Sequence, residues 1–421
     1  MTRLIGVDFG TTNSVVAILQ PDGGVTTARF TAGATELDVF RTLLCFWSET
    51  GRGRSVLHHA AGPLAVQAWL DEPLDSRLIM SMKTYLAQRS FSETRIFGRP
   101  FTLEQLVALF LRALLGADHA GARIVAGRPV RFAGEFADDV FGEARLRAAF
   151  AQAGFAEVEV ALEPEAAGYR VARTLDAPAT VLVGDFGGGT SDFSVMRFAP
   201  HGSQRVAALG YAGIGIAGDT FDYRIIDHVV SPMLGKGDSY TVMGKELPVP
   251  PEYFAAFARW HRLSLMRAPR TLRDIAAVAA ASAHPERLRA LIRLIEDEMG
   301  FTLYQAVSEL KATLSGSDAA SFRFCHGDFA IERHVTRAEF ETWIADDLRR
   351  IAATVDQALR NAGVTAAAID QVFLTGGTSF VPAVRALFEQ QFGEAKVLGG
   401  GEFVSVAEGL ALIGRDRGLG G

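Results

Sequence analysis

The chain has 421 residues, 49% of them hydrophobic and 21% charged, with a formal net charge of −6 and two cysteines. That length allows roughly two to four domains around a sizeable core, and the acidic balance excludes a general polyanion binder, so any phosphate recognition has to be local. Cys45 and Cys325 lie far apart without Cys-x-x-Cys or histidine spacing, which excludes a zinc site legible in the sequence and predicts two buried thiols in a reducing cytosol.

No apolar run approaches the roughly 18 to 20 residues of a membrane span, and Met1-Thr2-Arg3-Leu4-Ile5 enters a strand directly, with no signal peptide. The expectation is a soluble cytoplasmic protein with neither a nucleic-acid nor a membrane partner.

The first element is a hairpin. Leu4-Ile5 leads into Gly6-Val7-Asp8-Phe9-Gly10-Thr11-Thr12-Asn13-Ser14, and Val15 to Leu19 returns. Gln20 to Gly24 makes a tight turn and Val25 to Phe30 a further strand. Residues 31–100 read as less regular, with Arg41 to Trp47 as a strand and Ala65 to Leu70 as a helical turn. Thr102 and Gln105 form a capping box ahead of an apolar stripe from Leu106 to Leu115. Ile124 to Val130 is a buried strand, Ala137 to Gly154 a helix, and Val158 to Leu162 a strand running into Glu163-Pro164-Glu165-Ala166-Ala167-Gly168. Proline just inside a helix start places Glu163 at a strand-to-helix junction, where α/β sheets commonly meet a ligand.

A second hairpin has the design of the first: Thr180 to Val183, then Gly184-Asp185-Phe186-Gly187-Gly188-Gly189-Thr190-Ser191-Asp192, then Phe193 to Met196. Successive glycines let backbone N–H groups approach an anion, while the flanking aspartates would repel it unless a cation sat between. Phosphate with magnesium meets both demands. Two such hairpins predict duplicated lobes facing a common ligand.

Gly213-Ile214-Gly215-Ile216-Ala217-Gly218 matches a dinucleotide pattern but lacks strand–helix–strand context. No P-loop motif is present, and the adjacent His58-His59 reads as surface.

Beyond Ala217 to Asp222 the pattern turns helical from Ser231, with Lys245 to Pro251 as a proline-marked loop and helices filling much of Glu252 to Leu314. Their faces carry Arg259, Arg262, Arg267, Arg270, Arg273, Arg287, Arg289 and Arg293. These read first as solvated helix faces and second as a docking face for an acidic partner. Thr336 and Glu339 form another capping box before a face of Phe340, Trp343, Ile344, Leu348, Ile351, Val355 and Leu359 that ends at Gly363. Val372 to Thr378 follows as strand and Gly-Gly turn, and Pro382 to Phe392 as helix, a third phosphate or nucleoside cradle.

Taken in order, Gly6 to Ser14, Glu163 to Gly168, Gly184 to Asp192, Ala217 to Asp222 and Phe373 to Thr378 make the chain resemble the nucleotide-binding ATPase domain of the 70-kDa heat-shock chaperones, within the actin-like ATPase superfamily. The resemblance implies an α/β class, a duplicated fold of two lobes and four subdomains around a central nucleotide cleft. Residues 1–30 and 101–176 would form the first lobe core, 31–100 its inserted subdomain, 177–216 and 332–421 the second lobe core, and 217–331 an enlarged, mainly helical subdomain. Implied cofactors are ATP or ADP and Mg²⁺, with room for K⁺ beside it.

Residue by residue, the resemblance gives Asp8, Asp185 and Asp192 as metal positions, acting largely through water, and Lys83, Glu163, Asp185 and Thr190 as catalytic positions. The turns at Gly10, Thr11, Thr12 and Asn13 and at Gly187, Gly188, Gly189 and Thr190 would cradle the phosphates. Gly218, Ser315, Gly376 and Gly377 would line the nucleoside. The family's two adenine-clamping arginines fall on Ala312 and Phe380, which predicts a one-sided stack on Phe380 and relaxed base selectivity.

The chain stops after Ile413 to Gly421 without a peptide-binding domain, and so resembles the short YegD-type members. The implied function is a chaperone-family ATP-binding protein with slow Mg-dependent hydrolysis driving lobe closure, and with a co-chaperone or other protein partner at the helical region 232–300. Alternatives are a nucleotide-dependent scaffold that does not hydrolyse, a filament-forming relative and a small-molecule kinase on the same fold.

Overall fold

The computed structural model describes residues 3–32, 35–51, 54–72, 75–119, 121–134, 136–172, 177–199, 206–255, 266–399 and 405–419. They fall into two compact units, Met1–Gly218 with Arg349–Gly421, and Asp219–Leu348.

The first unit contains two sheets of one topology. In the first, β1 (Leu4–Asp8) pairs antiparallel with β2 (Asn13–Leu19), which pairs with β3 (Val25–Thr27). On its other side β1 pairs parallel with β4 (Arg123–Arg128), which pairs parallel with β5 (Val158–Leu162). The second sheet repeats this with β6 (Ala179–Phe186) antiparallel to β7 (Ser191–Phe198) and β7 to β8 (Val206–Ile214), while β9 (Gln371–Thr375) and β10 (Val397–Gly399) continue in parallel from β6. The central strands β1 and β6 are almost wholly buried and correspondingly apolar. β1 ends on Asp8, β6 on Asp185-Phe186, and each leads into a glycine turn.

Helix α1 (Leu103–Leu115) starts at the Thr102–Gln105 capping box. Helix α2 (Asp139–Ala153) starts on Asp138, whose side chain accepts from Phe141 N–H, and stops at Gly154 in a left-handed conformation. Both cover the first sheet through Phe110, Leu111, Leu146 and Phe150. Helix α3 (Glu163–Ala172) follows the first sheet yet packs on β6 and β7, whereas α5 (Ser405–Asp416), the last helix, packs on β1, β2 and β4. Helix α4 (Arg337–Ala362) precedes the return strand β9. Leu4, Val125, Ala166, Val183, Met196 and Leu410 form one core through α3 and α5.

Residues 31–100 are more regular than their sequence suggested. Strand Leu43–Gly51 is central to a three-stranded antiparallel sheet with Arg54–Ala61 and Ser76–Met80, and Pro63–Asp71 is a helix. The expected strand Val25 to Phe30 breaks after Thr27; Phe30 opens a separate short strand, Phe30–Ala32, and packs on Phe40 at 4.9 Å between ring centroids. His58 stacks on Trp47 while His59 lies against Phe46 on the other face, as strand alternation requires.

The second unit contains helices Pro269–Ala281, Pro285–Glu296 and Gly300–Gly316, but its reading as mainly helical overlooks two hairpins. Lys245 to Pro248 is a strand rather than loop, paired with Ser239–Val242 across a Met243-Gly244 turn, and its proline sits at the strand end, where no ladder N–H is required. Ala319–His326 pairs with Phe329–Thr336 and buries Phe322, Phe324, Ile331 and Val335 in strict alternation. Cys325, on the opposite face, is exposed, contrary to the expected buried thiol; Cys45 is buried. Arg259 and Arg262 lie outside the described residues. Arg267 pairs with Glu298, Arg287 with Asp238 and Arg293 with Asp328.

Candidate functional site

The first unit gathers the chemistry at the ends of β1 and β6. Asp8 closes β1, the turn Gly10-Thr11-Thr12 follows, and Asn13 opens β2. Asp185 and Asp192 sit directly opposite each other on β6 and β7, flanking the turn Gly187 to Thr190, which Gly187 N–H closes onto Thr190 O at 2.9 Å. A Cβ placed on Gly189 would lie 3.5 Å from Thr11 Oγ1 and 3.7 Å from Thr84 Oγ1. The two glycine turns and the segment around Lys83 therefore border one space.

Lys83 lies in a short 3₁₀ turn, Met82–Tyr85, entered through Ser81 at φ 52°. Its Nζ donates to Glu163 Oε1 at 2.6 Å, and both side chains are buried. Glu163 is the first residue of α3, the junction its sequence context predicts. Asp192 Oδ1 accepts from the backbone N–H of Val130 at 2.8 Å and of Arg131 at 3.2 Å.

Burial and the neighbouring Glu163 push Asp8 up to about 7, against the pull of Lys83. Asp192 is likewise pushed up to about 7 by burial and by Glu163, with Thr190 and the Arg131 N–H pulling back. Burial, then Glu163, Asp8 and Asp192, hold Asp185 well above the usual carboxylate range. For Lys83 burial would lower the pKa, but Glu163, Asp8 and Asp185 outweigh it and keep the amine a cation. Four carboxylates thus share one lysine in a water-poor setting, an excess of negative charge that calls for a further cation. Among the described residues no three such side chains stand close enough to ligate one ion directly. That donor set suits an ion that keeps its water shell, as Mg²⁺ does.

Gly218 N–H reaches Gly187 O at 3.4 Å, and Thr378 Oγ1 donates to the same carbonyl at 3.4 Å. Gly376, after β9, runs at φ 86°, and a Cβ there would lie 2.1 Å from Phe186 O, so the position admits only glycine. Gly377 to Phe380 form a 3₁₀ turn ahead of helix Pro382–Phe392, with Phe380 52% exposed. Ser315 and Ala312 belong to the second unit, on helix Gly300–Gly316, where Ser315 Oγ donates to Lys311 O at 3.0 Å.

Reading the motifs alone misses the residues that make room. A Cβ on Gly127 would meet Glu163 Cγ at 2.9 Å, and one on Gly213 would meet Asp192 Oδ1 at 2.5 Å. Gly213 belongs to the G-x-G-x-x-G stretch, whose first glycine therefore serves a carboxylate from a strand of an antiparallel pair. Gly127 inside a buried strand was the available signal.

The family model for the Hsp70 protein matches residues 135–238 and 292–415, together more than half of the chain. The matched segments contain Glu163, Asp185, Asp192 and both later glycine turns. The chain belongs to the Hsp70 family of ATP-binding chaperone proteins and has the α/β fold of the actin-like ATPases.

Proposed function

We propose that the chain binds Mg·ATP and hydrolyses it slowly, the nucleotide state setting a conformational equilibrium. The observation that supports this best is the convergence of Asp8, Asp185, Asp192, Glu163 and Lys83 beside two glycine turns. In this reading Asp8, Asp185 and Asp192 hold a hydrated Mg²⁺, with K⁺ beside it. The turns at Gly10 to Asn13 and Gly187 to Thr190 donate backbone N–H groups to the phosphates, while Gly218, Ser315, Gly376, Gly377 and Phe380 serve the nucleoside. Bound Mg²⁺ supplies charge neutralisation on the phosphate oxygens. Lys83 adds a fixed positive charge near the γ-phosphate, Glu163 orients Lys83 and the metal's waters, and Asp185 with Thr190 places the attacking water.

The four-part division at residues 30, 100, 176, 216 and 331 belongs to this proposal, as does a protein partner for the 232–300 region. Cytoplasmic residence is part of it too; among the described residues no helix is long and apolar enough to cross a membrane.

Calorimetry with ATP, ADP and GTP followed by phosphate-release kinetics tests the reading. Mg-dependent ATP binding, with turnover reduced at least about a hundredfold in Lys83→Ala, is expected. No nucleotide binding would end it, and a rate unchanged in Lys83→Ala would favour a scaffold that does not hydrolyse.

A further inference from the structure

Arg145, on α2, is 4% exposed, a rare burial for an arginine. Four of its five N–H groups make hydrogen bonds. Nε donates to Glu104 Oε1 at 2.6 Å and Nη2 to Glu104 Oε2 at 3.4 Å, while Nη1 donates to the backbone carbonyls of Tyr85 at 3.3 Å and Phe91 at 3.1 Å. Both carbonyls belong to the segment that carries Lys83. That segment leaves regular structure at Ser81, whose left-handed backbone is strained for a residue with a side chain, and it has few ladder bonds of its own. Asp138 N–H to Ala87 O at 3.0 Å also ties the segment to α2's start, and Gln88 Nε2 to Thr84 O at 3.0 Å braces it internally.

We propose that Arg145, oriented by Glu104, is a positioning residue that fixes the backbone of the Lys83 turn and so the placement of Nζ opposite the carboxylates. The proposal rests on reading Lys83 as the catalytic lysine. A buried arginine–glutamate pair adds little net stability compared with apolar side chains of the same volume, so its value lies in geometry. The two carbonyls lie 60 and 54 residues from Arg145 along the chain; in space one planar fork reaches both, which a lysine ammonium cannot imitate.

The test is a set of double-mutant cycles on the full chain with Mg·ATP as substrate, measuring kcat, KM and thermal melting. Arg145→Lys, Arg145→Met and Glu104→Gln are each made in the parent and in the Lys83→Ala background. Arg145→Lys is expected to lower kcat about tenfold with KM changed less than about twofold, and Glu104→Gln to lower kcat about threefold. In the Lys83→Ala background neither should lower the residual rate further, while the melting shifts should match those in the parent. Should Arg145→Met not fold, the other two variants complete the cycles. A residual Lys83→Ala rate that falls by the same factor on changing Arg145, or an Arg145→Lys variant with parental kcat, overturns the positioning role. Lys83→Ala with parental turnover overturns the underlying reading of Lys83, and this proposal with it, so the two failures are told apart.

Discussion

Asp185 and Asp192 face each other across the β6–β7 ladder, an arrangement that costs stability in an ordinary sheet. Burial and Glu163 push Asp192 up to about 7, and the facing Asp192 is one of the charges that hold Asp185 above the usual carboxylate range, so a chain selected only for folding would place asparagine at position 192. Asp192→Asn keeps an acceptor for the Val130 and Arg131 N–H groups while removing the charge. Denaturant unfolding without nucleotide should therefore show the variant more stable by on the order of 1–2 kcal/mol. The same variant should lose most of the stabilisation that Mg·ATP gives the parent protein. A variant less stable than the parent in both conditions would contradict this. At this scale the aspartates and Glu163 were legible because their glycine and proline neighbours marked them. Gly127, Gly213 and Arg145 were not, since clearance and a carbonyl clamp depend on segments far away in sequence.

Among the elements, the ends of helices were the best read. At α4 the Thr336 side chain accepts from Glu339 N–H at 3.2 Å while Thr336 N–H donates to Glu339 Oε2 at 2.9 Å. Replacing Thr336 by Ala should cost about 1 kcal/mol in a denaturant titration. The backbone N–H and hydroxyl of Thr336, with Arg333, lower the Glu339 pKa below its usual 4.5. A depressed carboxylate stabilises the fold above its unfolded-state pKa and ceases to do so as pH falls through the folded value. Parent and Glu339→Gln stabilities should therefore differ at pH 7 and converge in acid below about pH 4; a gap that widens on acidification would contradict the capping role.

The hairpins of the second unit were read worse than helices. The alternation around Phe322 and Phe324 was present in the sequence, but long helical surroundings outweighed a two-residue period sustained over only eight residues. No pattern announces the crossing of α3 and α5, where a Cβ on Gly409 would fall 1.7 Å from Ala166 O. Gly409→Ala must drive the helices apart and should destabilise by about 2–3 kcal/mol, read as a lower melting temperature.

For the whole molecule, two related hairpins led to the expectation of a duplication, and the two sheets repeat one strand order, each with a glycine turn at the end of a buried central strand. If that pair of turns grips Mg·ATP, ligand at about a hundred times its dissociation constant should stabilise the protein by about 2.7 kcal/mol, and chelating the metal should abolish most of the gain. If Ala312 and Phe380 stand where the family has a cationic clamp, as the resemblance implies, GTP should stabilise nearly as well. A melting shift confined to ATP would refute that relaxed selectivity.

The exchange of terminal helices between the sheets also bears on how the protein is made. Ala407 and Ala411 of α5 cover Val15 and Ala17 of β2, so a ribosome delivers the first sheet long before the helix that shields its underside. The nascent amino-terminal half must wait with an apolar face open to whatever is nearby, and its closure depends on a helix translated only after the last strand of the second sheet. A member of a chaperone family would then itself be an early customer for attendants at the ribosomal exit, and arresting translation ahead of α5 should leave that half protease-sensitive.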